Sequence, residues 1–231
     1  MVNRFFLAMM VFGFAASAAA ESVDAVMLKY MVSEQGLEPY PSRIIITDKM
    51  LRMDDGEAAG DYLLFDLQRN LISSVTHGDE TILEIPQRLP GANPPIPLKR
   101  DQSLEADEKA PAIGGKTPHQ MRLFVNDKLC YDAVVVPGLL PDVVEAMRAF
   151  NRVLGAEQAR LVGQTPEDLL DGCDLALHTF YPTWTLESGL AIQEIDMSNG
   201  KGRLLVDIAE AFQADESLFR LPEGYRRYQT H

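Results

Sequence analysis

The sequence predicts an α+β fold in which a curved antiparallel β-sheet, open as a half-barrel, holds two inserted helices on its concave face. Short segments with the composition of strands, separated by turn residues, follow one another over residues 23–85 and again over residues 120–136. No helical pattern lies between them to supply the crossovers that parallel strands need. Two amphipathic helical patterns follow. A single sheet of roughly seven to nine strands must bury its apolar face, and these helices would cover it.

The first half of the chain predicts an antiparallel meander. Five segments are rich in apolar and β-branched residues and are bounded by turn residues: 23–34, 43–54, 61–66, 71–76 and 80–85. Alternation with period two gives the first strand one apolar face, formed by Val26, Leu28, Tyr30 and Val32. The opposite face of this strand carries Ala25, Met27 and Met31, so it is partly apolar as well.

Residues 86–118 differ from the rest of the chain because they hold seven of its 14 prolines. Proline lacks a backbone donor and disfavours regular strand pairing, so this segment predicts a long loop with extended stretches. Such a loop is either functional or loosely ordered. A domain boundary is a weaker alternative, since residues 23–85 alone would form an open sheet with exposed edges.

The second half of the chain predicts more strands and both helices. Residues 120–136 have strand composition around a turn at Asn126–Asp127. Helical spacing of apolar residues predicts a helix over 140–154 that ends at Gly155. Thr165 would cap a second helix that begins at Pro166 and runs to about His178. A hairpin of 184–197 and 202–213 follows, with Asn199–Gly200 as its turn.

Residues 1–20 have the layout of a secretory signal peptide. Arg4 precedes an apolar run from Phe5 to Ala16, and small residues follow up to Ala20. The alternative, a membrane anchor, needs about 20 apolar residues, and this run has only roughly a dozen. No later stretch is long and apolar enough to span a membrane. We therefore expect cleavage near Ala20 and a soluble, periplasmic protein with a single domain over residues 21–231.

Cys130 and Cys173 are the only two cysteines. In an oxidising compartment an even pair usually forms a disulfide. This one would close a loop of about 44 residues, which is worth ~4 kcal/mol in the chain-entropy model. A reactive thiol or a metal thiolate is the alternative.

Three short segments of the sequence carry a resemblance to a known family. They are the end of a strand at Lys49–Asp54, the strand Tyr62–Asp66 and the closing segment Leu218–Tyr225. With the export signal, they make the chain resemble a family of secreted bacterial proteins with no assigned function. That family is similar to the outer-membrane lipoprotein carrier group, called LolA-like. The resemblance implies a curved half-barrel around an apolar cavity that holds acyl chains. The chain departs from the compact carriers in its proline-rich loop and its predicted disulfide.

Composition and motifs argue against several functions. The net charge of −13 is unsuitable for nucleic acid, which requires a cationic surface. The four histidines have no spacing typical of metal ligands, and no GxSxG nucleophile motif is present. No set of catalytic residues is suggested by spacing. We therefore expect no enzyme activity, no metal and no cofactor.

One aromatic cluster is a candidate for ligand binding. It lies where the second helix precedes a strand, and it consists of His178, Phe180, Tyr181 and Trp184. Aromatic side chains with polar tips can line the mouth of a cavity, although they can equally pack the helix onto the sheet. The leading hypothesis is therefore periplasmic binding of a lipid, an acyl chain or another hydrophobic ligand. The alternative is a cell-envelope interaction module that binds a protein partner through loop 86–118.

Overall fold

The computed structural model describes residues 21–57, 59–89 and 93–230. The predicted signal peptide, residues 1–20, lies outside the described residues, as does part of the predicted loop 86–118. No helix in the described ranges is both long enough and apolar enough to cross a membrane.

A single curved sheet, which does not close into a barrel, dominates the molecule. Its spatial order is β12-β6-β5-β4-β3-β2-β1-β11-β10-β9-β8-β7. Every neighbouring pair is antiparallel except β12 and β6, which are parallel. The strands are β1 Ser22–Ser33, β2 Tyr40–Ile46, β3 Met50–Asp54, β4 Tyr62–Asp66, β5 Leu71–Thr76, β6 Thr81–Pro86, β7 Arg100–Ala106, β8 His119–Val125, β9 Lys128–Val136, β10 Leu190–Asp196, β11 Lys201–Asp215 and β12 Arg226–Gln229. The predicted α+β half-barrel is confirmed.

Two predicted elements of the sheet are wrong. The segment 43–54 is two strands, because Thr47 makes a turn in which its hydroxyl accepts hydrogen bonds from the backbone N–H groups of Lys49 and Met50. The segment 86–118 contains a regular strand, β7, which pairs with β8 along its whole length. Prolines flank β7 but do not interrupt it, so its own backbone donors remain free to pair.

The long helix α1, Pro141–Val162, packs against the concave face of the sheet. It buries Val143, Met147 and Phe150 against apolar residues of the first five strands. The predicted end at Gly155 is wrong, because the helix continues for two more turns. Gly155 is buried, and a Cβ placed there would lie 2.7 Å from Pro182 Cγ. This glycine therefore permits a close approach rather than ending the helix.

The second helix is shorter and less regular than predicted. Thr165 and Pro166 precede only a single 3₁₀ turn, Glu167–Leu169. The helix proper begins with α2, Gly172–Asp174, where the Asp171 carboxylate accepts hydrogen bonds from the N–H groups of Cys173 and Asp174. It continues as a π-helical turn over Leu175–Phe180. Residues Trp184–Leu186 form a 3₁₀ turn, so the strand predicted from residue 184 begins at Leu190.

The predicted disulfide between Cys130 and Cys173 is present. It joins β9 to α2 inside a second apolar cluster, which includes Met121, Leu123 and Trp184. The irregular second helix is thereby fixed covalently to the sheet.

The outer face of the sheet is covered by the C-terminal segment, residues 216–225. Phe219, Leu221 and Tyr225 pack on Tyr62, Leu64, Val75 and Ile82. Arg52 is buried beneath this segment and donates a hydrogen bond of 2.7 Å to the carbonyl oxygen of Leu218. Strand β1 therefore packs on both faces, with Leu28 and Tyr30 in the concave core and Ala25 and Met27 in an outer cluster, which explains why it is apolar on both sides.

Candidate ligand-binding groove

The four residues of the predicted aromatic cluster do not converge on one cavity. His178 Nε2 lies 2.6 Å from Asp196 Oδ2, at the end of β10. Phe180 lines a pocket beside α1. The ring of Tyr181 lies under the Arg100 guanidinium, at 3.9 Å. Trp184 is buried in the apolar cluster around the disulfide, and its indole N–H donates to Gln102 Oε1 at 3.1 Å.

A larger cavity than the pocket at Phe180 lies elsewhere, on the concave face of the sheet. It is a groove of about 400 Å³ that crosses strands β1 to β5 and is flanked by the start of β11. Met53 and Leu63 form part of its floor, and both side chains also pack against the concave core. Val32 adds apolar surface. The groove therefore continues the apolar core beyond the part that α1 covers.

Hydroxyl groups and ion pairs surround this apolar floor. Ser42, Ser74 and Thr76 line the groove together with Tyr40. The Lys201 ammonium lies 2.7 Å from Glu34 Oε1 and 3.4 Å from the Tyr40 hydroxyl. Its hydrogen bond with Lys201 lowers the pKa of Glu34. The carboxylate thus stays charged and holds Lys201 at the rim.

A partly buried polar network supports the groove at Arg203. Its Nε lies 2.5 Å from Glu194 Oε1, and Tyr131 donates its hydroxyl hydrogen to the other oxygen of that carboxylate. The guanidinium also lies 5.0 Å from the Tyr30 ring. Burial raises the pKa of Tyr131, and the Glu194 carboxylate raises it further, so the phenol stays protonated and remains a donor. Arg203 is therefore held by Glu194 and the Tyr30 ring, and Tyr131 in turn holds the Glu194 carboxylate.

The charges lining the groove do not favour a free anion. Lys201 and Arg203 are neutralised by Glu34 and Glu194. Asp54 is paired with Arg43 and Arg52; although burial alone would raise its pKa, the hydrogen bonds from these arginines lower it. Asp55 and Asp61 also line the groove, and in the described part of the chain neither has a salt bridge. The lining of the groove therefore has an excess of negative charge.

Sequence reasoning missed the groove residues for a specific reason. Lys201 and Arg203 lie two apart on one strand, as do Tyr30 and Val32 on another, so each pair shares a face. Their proximity depends on the pairing of β1 with β11, whose partner residues are separated by about 170 to 190 positions. Period-two alternation is visible in sequence, whereas this long-range pairing is not.

The described residues do not form a metal-binding site. Across 21–57, 59–89 and 93–230, no three side chains of His, Cys, Asp or Glu converge to hold an ion. The nearest approach to such a group, His178 with Asp196, is a two-residue contact in which Asp196 also accepts hydrogen bonds from Ser198.

Comparisons with known proteins concern overall structure. No family model matches the chain, and no curated protein matches it in sequence. An uncharacterized conserved protein from Thermus thermophilus has a TM-score of 0.46 and 6% identity over 89% of this chain and 90% of its own. MucB has a TM-score of 0.38 and 9% identity over 90% of this chain, which spans only 60% of the MucB chain. Neither likeness assigns the chain to a family or gives it a function.

Proposed function

We propose that this is an exported, periplasmic binding protein that holds a lipid or another hydrophobic ligand in the concave groove, without catalysis. The single observation that carries the proposal is the apolar floor of the groove, which is continuous with the core but left uncovered by α1. A cavity of about 400 Å³ falls within the usual range for small-molecule sites. The resemblance to the LolA-like carriers supports the same function.

The polar residues that line the groove determine what charge the polar end of such a ligand would have. Hydroxyl groups of Ser42, Ser74 and Thr76 are available as donors and acceptors. The carboxylates of Asp55 and Asp61 would repel an anionic head group. The preferred ligand is therefore apolar with an uncharged or cationic polar end.

The first test is mass spectrometry of an organic extract from protein that was exported by its own signal peptide and purified without detergent. We expect a lipid or other apolar molecule in near-stoichiometric amount. An extract without any such molecule, from folded protein, would count against a permanently loaded carrier and would make a binding titration decisive.

The second test is that titration, with the neutral apolar dye N-phenyl-1-naphthylamine. Ser74→Trp places a large side chain in the groove, and the matched control Ser103→Trp changes β7, away from it. We expect dye fluorescence to rise with the parent protein and with Ser103→Trp, and the affinity to fall at least tenfold with Ser74→Trp. Equal binding by all three folded proteins would refute the groove as the site. The intrinsic fluorescence of Trp184 is unsuitable here, because Trp184 does not line the groove.

A second candidate function, the envelope interaction module, is favoured by one observation. The edge strand β7 lies within the predicted loop 86–118, and six of its seven residues are exposed. An uncovered edge can pair with an extended segment of another protein. A photo-crosslinking residue at Leu104 should then give one discrete adduct in cells, whereas the same residue at Leu169, which is also exposed, should give none. Identical patterns at the two positions would argue against this function.

A further inference from the structure

A second pocket, which we call the arginine pocket, lies on the other side of α1. It has a volume of about 270 Å³. Three parts of the chain enclose it: the segment after β6, the C-terminal half of α1, and the end of the π-helical turn. The lining residues are Gln87, Arg88, Arg152, Ala156, Ala159, Thr179, Phe180 and Pro182. It shares no lining residue with the concave groove.

The charge of the arginine pocket is opposite to that of the rest of the protein. Two guanidinium groups line it, and its described lining residues include no carboxylate. Among the described residues, Arg88 and Arg152 share their acidic partners, Glu157 and Glu145, with Arg160 and Arg148. Four arginines are thus paired with two carboxylates, which leaves an excess of two positive charges. The chain as a whole has a net charge of −13. Because the Debye length is about 8 Å at physiological ionic strength, these nearby cations outweigh distant acidic residues.

The hydrogen-bonding capacity of these arginines is only partly used. Arg88 donates to the carbonyl oxygen of Thr230, but its Nε is buried and has no hydrogen-bond partner among the described residues. Glu157, 3.5 Å from that Nε, is already bound by Arg160 at 3.0 Å. Arg152 gives one hydrogen bond, of 2.6 Å, to Glu145 and is half-exposed. A guanidinium has five N–H donors, so several remain for a ligand.

Four of the other lining residues are apolar, and Gln87 and Thr179 are polar. Phe180 and Pro182 face the small side chains of Ala156 and Ala159. The space is smaller than that of most sites for drug-sized ligands. Such a site suits a short apolar body with a planar anionic group, because a carboxylate matches the fork of a guanidinium.

We infer that the arginine pocket is a second ligand site, separate from the concave groove, and that it binds a small monocarboxylate with an apolar body. The inference does not depend on the function proposed for the groove. It gives Phe180 a role in ligand binding that the other three residues of the aromatic cluster do not share.

Calorimetric titration with octanoate tests the inference in the full mature chain. Octanamide, which has a similar shape without charge, and inorganic phosphate, which lacks the apolar body, are the comparison ligands. We expect octanoate to bind at least tenfold more tightly than either, and its affinity to fall as salt is added. Equal affinity for octanoate and octanamide would overturn the assignment to a carboxylate.

Three variants locate the binding. Arg152→Gln removes one guanidinium that is half-exposed, and Ala159→Trp fills the pocket; each should weaken octanoate binding at least tenfold. Arg122→Gln, in which a similarly exposed arginine on β8 is changed, should bind octanoate normally. The groove variant Ser74→Trp should also bind octanoate normally. Loss of octanoate binding in Ser74→Trp but not in Ala159→Trp would place the ligand in the groove and overturn the inference.

Discussion

Gly155 illustrates at the scale of one residue how packing overrides a local signal. It lies in the middle of α1, where glycine is less favourable than alanine by about 1 kcal/mol. Its presence is explained by the polypeptide opposite: an added Cβ would lie 2.7 Å from Pro182 Cγ and 3.0 Å from the Thr179 carbonyl oxygen. The close contact positions the segment that carries Phe180 and Pro182 against α1.

Gly155→Ala should therefore destabilise the protein by about 1–3 kcal/mol, because the overlap with Pro182 exceeds the gain in helix propensity. Gly163→Ala is the matched control. It lies at the C-terminus of the same helix with a helical φ of −63°, and nothing is within 4 Å of the added atom. The control should be neutral or stabilising by about 0.5 kcal/mol. Urea denaturation measures both, and equal stabilities would contradict the close-contact explanation.

The contact between His178 and Asp196 should make stability depend on pH. The hydrogen bond with the Asp196 carboxylate raises the pKa of His178 above 6.5. The contribution of this contact to the free energy of unfolding is therefore complete below pH 6.5. It is lost as the pH rises through the pKa that His178 has in the folded protein. His178→Gln should cost about 1 kcal/mol at about pH 5.5, a value reduced for partial solvent exposure, and less at about pH 8.5. A cost that does not change between these pH values would mean that folding does not raise the pKa of His178.

At the scale of elements, the second helix depends on attachments outside itself. Its local signals are weak, and the helix forms as a short turn capped by Asp171 followed by a π-helical turn. The Cys130–Cys173 disulfide fixes it to β9 across a sequence separation of 43. Irregular backbone that a crosslink holds against a sheet needs less intrinsic helical propensity.

Replacement of both cysteines by alanine should lower the free energy of unfolding by about 4 kcal/mol, chiefly because the unfolded chain gains freedom. Binding of N-phenyl-1-naphthylamine should persist in the folded fraction, because the groove lies on β1 to β5, away from the disulfide. Urea denaturation of the parent protein with and without a reductant provides the control. Identical curves under the two conditions would show that the crosslink does not contribute to stability.

At the scale of the whole molecule, one sheet packs apolar side chains on both of its faces. The concave core is covered by α1, and the outer clusters are covered by the C-terminal segment 216–225 before β12 joins the sheet beside β6. Arg52 and Tyr62 add polar anchors, since they donate to the carbonyl oxygens of Leu218 and Arg220. The end of the chain is thus part of the structural core.

Phe219→Ala should test the importance of this outer cover. Phe219 contacts both outer clusters and is partly buried, so the substitution should cost about 2 kcal/mol. Leu169→Ala is a suitable comparison, because that side chain is 70% exposed and its loss should change stability by less than about 0.5 kcal/mol. If the two variants unfold at the same urea concentration, the C-terminal segment contributes little to stability.

The sequence by itself determined the features that depend on local patterns or simple counts. Alternation of period two predicted most strands, helical spacing predicted α1, and a single pair of cysteines left one intramolecular disulfide. The turn at Asn126–Asp127 also has a local cause, since both residues have the positive φ that these residue types tolerate.

The tertiary structure alone decided where distant residues meet. Strand β7 was hidden among prolines because its strand character depends on pairing with β8. His178, Phe180, Tyr181 and Trp184 are neighbours in sequence, yet the irregular turn directs them to different partners. Conversely, Lys201 and Arg203 reach the groove beside Val32 only because β11 pairs with β1. Local conformation follows from nearby residues, whereas pairing across the sheet depends on the packing of the whole chain.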